Sequence, residues 1–77
     1  MSETISEPVE VGLSSSPKWV AWRGRVYKID KVGFHHSFWE GSILIHIFSV
    51  VSGTLFLKLK LNTQSLKWVL EEVSDEF

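Results

Sequence analysis

The chain has 77 residues and a mass of 8.8 kDa, 13% aromatic residues including four Trp, no Cys, and a formal net charge of -1. A length this small allows one domain, and the absence of Cys excludes both a disulfide framework and a thiolate zinc site. A near-neutral total excludes a strongly basic nucleic-acid binder on bulk charge alone. Charge is nevertheless segregated: residues 1–16 carry only acids, 17–31 are net +4, 53–67 are net +3, and 68–77 are net -4.

The first residues, Met1 to Glu7, are polar and acidic, unlike the basic start and apolar run of a signal peptide. Residues 1–6 read as a flexible tail and residues 7–75 as a single β domain. The most apolar stretch, Ile43 to Val51, falls well below the length of a membrane helix. A cytoplasmic protein with no membrane partner is expected.

Pro8-Val9-Glu10-Val11 suggests a first, edge strand over about 7–12, and Ser14-Ser15-Ser16-Pro17 closes it. Trp19 to Trp22 carries a second strand over 18–23. Arg23-Gly24 then offers a tight hairpin turn, because Gly accepts φ > 0. A third strand over 25–35 holds Val26, Tyr27, Ile29 and Val32; its alternation slips near Asp30-Lys31, which suggests a bulge. Ile43 to Val51, within a fourth strand over 42–51, is apolar on both faces and reads as a central, covered strand. Ser52-Gly53 marks the next turn. Leu55, Leu57, Leu59 and Leu61 alternate with Phe56, Lys58, Lys60 and Asn62, the period of a strand over 54–61.

The last segment has two readings. Trp68-Val69-Leu70 fits a strand over 66–73, whereas Leu66, Val69, Leu70 and Val73 have the spacing of an amphipathic helix over 63–77. The first gives an all-β meander of about six strands curled into a partly open, SH3-like barrel. The second gives an α+β fold, a five-stranded curled sheet packed by a C-terminal helix. Short links favour antiparallel neighbours, and curling supplies the second layer that buries the aromatics.

Pro8-Val9-Glu10-Val11, Trp22-Arg23-Gly24-Arg25-Val26-Tyr27, Trp39 and the closing Trp68-x-Leu70-x-x-Val73-x-Asp75 resemble a family of small bacterial β domains of unknown function. Members carry "W-R-G-R-x-Y" and a closing "W-x-L-x-x-V-x-D", and stand alone or near lesion-bypass polymerase-like proteins. The resemblance implies a small β fold, a weak pointer toward nucleic-acid work and no catalytic residues. This chain departs from the family in its Ile- and Leu-rich fourth and fifth strands.

The block around Trp22, Arg23, Arg25, Tyr27 and Lys28 interleaves basic and aromatic residues, as a surface that stacks bases and follows phosphates does. The same residues also suit a core with a solvated hairpin tip. Alternation places Trp19 and Trp22 on opposite faces, one inward and one outward. Lys58 and Lys60 could extend a basic strip or act as solubilising charges. His35 and His36 point to opposite sides of a strand, so no metal site is expected, and the side taken by His46 depends on the register of the 42–51/54–61 hairpin. No nucleophile motif, phosphate loop or paired carboxylates outside the charged C-terminus is present. The expectation is a non-enzymatic binding module without cofactor or small-molecule ligand. Its partner is a protein; the alternatives are a single-stranded nucleic-acid-binding accessory protein linked to DNA repair and a structural homo-oligomer paired through strand edges.

Overall fold

The computed structural model describes residues 2–75, all in strands or short links. Seven strands form: β1 (Ser2–Leu13), β2 (Pro17–Trp22), β3 (Arg25–Lys28), β4 (Lys31–Glu40), β5 (Ile43–Ser52), β6 (Leu55–Asn62) and β7 (Lys67–Asp75). All pairings are antiparallel, in the order β3-β2-β1-β7-β6-β5-β4. The meander curls into an open half-barrel whose two edges are β3 and β4. The all-β expectation holds, and the C-terminal helix gives way to β7.

Tight turns follow from local chemistry. Trp22 pairs with Arg25, so the loop is Arg23-Gly24, with φ of 52° and 76°. Two positive φ values define a type I′ turn, whose twist matches that of paired strands. Gly41-Ser42 and Gly53-Thr54 close the β4–β5 and β5–β6 hairpins with φ of 64° and 61° at each Gly. In the β6–β7 loop the Asn62 side chain accepts hydrogen bonds from the backbone N–H of Gln64 and Ser65, and Leu66 N–H bonds the Asn62 carbonyl. Leu66 ends the loop at φ 59° with 71% of its surface exposed. A left-handed Leu costs about 1 kcal/mol relative to Gly. Leu66→Gly is therefore expected to raise Tm by roughly 4 °C, measured by calorimetry.

Four expectations change. β1 is an inner strand, paired with both β2 and β7, and not an edge. The single strand over 25–35 divides at Ile29-Asp30. There Ile29 N–H bonds Lys18 O of β2 at 2.9 Å and Asp30 N–H bonds Val51 O of β5 at 2.8 Å, so the chain passes from one sheet edge to the other. The Asp30 carboxylate accepts Gly53 N–H at 2.7 Å and ties this crossing to the β5–β6 turn. β4 then runs on to Glu40, beyond the expected end at residue 35. Residues 2–6, expected as tail, belong to β1: Ser2, Glu3 and Thr4 pair with Ser74, Val73 and Glu72, and Ile5 packs on the core. Met1 lies outside the described residues.

The concave face holds the core. Val20, Ile29, Val50, Leu57, Leu59 and Leu70 are buried, with Val9, Val11, Trp22, Tyr27, Phe48 and Trp68 packed around them. Apolar burial at roughly 25 cal/mol per Å² is the main stabilising term in a chain without staples. The convex face carries a second apolar patch, Ile45 and Ile47, also buried. Their register partners, Phe38 and Asn62 for Ile45 and His36 and Lys60 for Ile47, share that face and are in reach to cover them. The two-sided burial expected for the fourth strand is thus met by β5. No helix among the described residues is long and apolar enough to cross a membrane.

Candidate functional site

Trp22, Arg23, Arg25 and Tyr27 do come together, around the β2–β3 hairpin. Trp22 and Tyr27 lie on the concave side, half-buried, with ring centroids 6.0 Å apart. The Trp22 indole N–H donates to Glu7 Oε1 at 2.8 Å. Arg23 donates from Nε to Oε1 at 3.1 Å and from Nη2 to Oε2 at 2.6 Å of the same carboxylate, and its guanidinium lies 4.7 Å from the Trp22 ring centroid. Glu7 thus receives three side-chain bonds and holds both residues. The bonds from Arg23 and then Trp22 lower the Glu7 carboxyl below its ordinary range, and the same pairing raises Arg23.

This geometry changes the meaning of the motif. The guanidinium that would read a phosphate already has a bidentate carboxylate partner inside the chain. Glu7 lies outside the basic-aromatic block, and β1 brings it there from fifteen residues upstream of Trp22. Arg25 and Lys28 stay exposed on the edge strand β3. Lys58 and Lys60 do not join them: they sit on the convex face of β6, with three strands between, and Lys58 Nζ faces Glu72 Oε2 at 3.4 Å.

The Glu7 pairing has a pH consequence. A carboxyl lowered in the folded state adds stability above its ordinary value of 4.5, and that contribution is lost as pH falls through the lowered value. The pair is exposed, so the effect is small. Glu7→Gln is expected to flatten the acid limb of the Tm-against-pH curve while leaving Tm at pH 7 only slightly reduced.

The expected split of the two tryptophans holds. Trp22 faces the core, and Trp19 faces outward, 39% exposed, in register with Gly12 on β1 and Lys28 on β3. A Cβ placed on Gly12 would stand 1.9 Å from Trp19 Nε1, so the indole lies directly over the glycine. An aromatic laid across a strand glycine restores the packing the glycine lacks.

A second accessible feature lies outside the basic-aromatic block. β4 is an edge strand of ten residues, and every residue from Gly33 to Glu40 is exposed. Phe34 is 58% exposed, Phe38 41% and Trp39 68%. No side chain from Val32 to Trp39 carries a formal charge with neutral histidines; Lys31 and Glu40 bracket the stretch. Phe34, His36 and Phe38 form a row on the convex side, with successive centroids 5.2 and 6.3 Å apart. On the concave side His35 stacks on Phe48 at 4.2 Å, and its Nε2 hydrogen-bonds His46 Nδ1 at 2.8 Å. The hairpin register pairs His46 with Leu61 and so settles its side as the leucine face. Among the described residues no group of three or more metal-ligating side chains assembles.

The signal for β4 was present as Trp39 and a Phe-rich run. It lacked the apolar–polar alternation of a half-buried strand, because both its faces are open. Comparison with family models, curated proteins and solved structures finds no match to this chain.

Proposed function

We propose that this protein is a non-enzymatic interaction module that binds a protein segment in extended form along β4. The observation that carries the reading is the edge itself: a long strand with unpaired backbone on one side, three exposed aromatics and no formal charge along its middle. Natural sheets usually blunt such an edge with Lys, Pro or a very short strand, since it is a template for another strand. Backbone hydrogen bonds would supply affinity, and the alternating aromatic positions would supply selectivity.

A direct test is titration with a soluble ten-residue peptide alternating Val and Thr, followed by backbone amide resonances. The expected result is shifts concentrated at His35, Ser37 and Trp39. Shifts confined to Trp22 through Lys28, or no binding of any extended peptide, would overturn the reading.

A second reading, single-stranded nucleic acid, draws on the exposed Trp19 in register with Lys28 on the outward face. It requires an affinity that falls steeply with salt, because phosphate contacts release counterions. The pairing of Arg23 with Glu7 speaks against it, since one of the two arginines of the block is engaged within the fold.

A further inference from the structure

We infer that the partner of β4 is a second copy of this chain, paired antiparallel about a two-fold axis through His36. This rests on the edge reading of β4 and specifies its occupant.

Thr63 N–H bonds Leu44 O, so the backbone of Leu44 points to the β6 side of β5. Antiparallel pairs alternate between bonded and non-bonded residues. Leu44, His46 and Phe48 therefore bond β6, and Ile45, Ile47 and Ser49 bond β4. Val51 O, accepting Asp30 N–H, agrees with this alternation. The partners of Ile45, Ile47 and Ser49 are Phe38, His36 and Phe34. These three spend their backbone groups on β5. His35, Ser37 and Trp39 present theirs to the free edge.

The convex row of β4 reads Phe34-His36-Phe38, the same in both directions. A two-fold at His36 sets each Phe34 opposite the second copy's Phe38, and His36 opposite itself, as non-hydrogen-bonded pairs in which side chains approach closely. It also sets each His35 opposite the second copy's Ser37. These are the residues whose N–H and C=O point outward, and two such pairs exchange about four backbone hydrogen bonds. The same axis brings the Lys31 end of each strand to the Glu40 end of the other, so opposite charges meet at both ends. Backbone direction, aromatic row and terminal charges all fit one register. A closed two-fold removes both exposed β4 edges at once, which a single foreign peptide does only for one.

The test uses the full chain. Sedimentation should show a mass that rises with concentration toward twice 8.8 kDa. Because the chain has no Cys, a single introduced thiol reports the register. His36→Cys should oxidise to a covalent dimer, since a non-bonded cross-strand pair meets disulfide spacing. Phe34→Cys should cross-link with Phe38→Cys in a mixture and poorly with itself. Ser37→Pro removes only an outward N–H, and His36→Lys places like charges on the axis; each should weaken dimerisation about tenfold or more. Both should keep the strand circular dichroism of the parent, and if the proline disturbs β4 the exposed His36→Lys still decides. A monomer at millimolar concentration, or self-cross-linking of Phe34→Cys without that of His36→Cys, overturns the proposal. A monomer that still binds the Val-Thr peptide along β4 overturns only self-pairing. A monomer that binds no peptide overturns the edge reading as well.

Discussion

Leu59→Ala is expected to lower Tm by at least about 10 °C and to leave the domain close to unfolding at 37 °C. Leu59 is fully buried at the centre of the concave face, between its register partners Phe48 on β5 and Leu70 on β7. Removing a buried Leu side chain to Ala costs about 2–5 kcal/mol in transfer and cavity terms. Total stability of a small domain is only about 5–15 kcal/mol, and this chain has no disulfide to hold the remainder. Each kcal/mol shifts Tm by roughly 4–8 °C at this size. Calorimetry of the variant checks it. A Tm loss below about 3 °C would mean that the leucine face is not the centre of the core. The exposed Phe56 on the same strand serves as control, and Phe56→Ala is expected to cost far less.

Gly12→Ala is expected to destabilise by about 1–3 kcal/mol, although Ala is ordinarily a better strand residue than Gly. The added methyl meets the Trp19 indole at distances no real contact shows, so the ring must leave its seat. The cause is specific to one pair and is tested by a double-mutant cycle. In a Trp19→Ala background the same Gly12→Ala change should be neutral or stabilising, giving a coupling of about 1 kcal/mol or more. Equal costs in both backgrounds would assign the effect to backbone strain at Gly12.

The leucine alternation of β6 and the Arg23-Gly24 turn were legible because each rests on local chemistry: period two for a half-buried strand, and two positive φ values for a tight hairpin. The C-terminal segment was ambiguous for a physical reason. Lys58 pairs with Glu72 and Leu59 with Leu70, so Glu71 is an extra residue in β7. The bulge resets the alternation, and Trp68, Leu70 and Val73 share the core despite unequal spacing. That spacing mimics a helical repeat. The position of β7 between β1 and β6, with both ladders filled, decides for strand.

The beginning of β1 was missed because Ser2, Glu3, Ser6 and Glu7 are polar and hide the strand character of Thr4 and Ile5, and pairing with β7 orders the segment. The extent of β4 was missed because an edge strand open on both faces shows no burial pattern. In the candidate site, the aromatic-basic cluster was legible as a cluster and not as a function. Its meaning turns on Glu7, a residue far away in sequence that neutralises Arg23. Lys58 and Lys60 share a period with Phe56, yet period alone does not say that their face turns away from the hairpin.

The most direct test of the account is residue-resolved amide exchange along β4, in dilute and in concentrated protein. In dilute protein Phe34, His36 and Phe38 should exchange slowly, through their bonds to β5, while His35, Ser37 and Trp39 exchange fast. On concentration His35 and Ser37 should become slow, and Trp22 through Lys28 should not change. Edge amides that stay fast in the concentrated sample, with protection gained instead at the β2–β3 hairpin, would contradict β4 as the interaction surface.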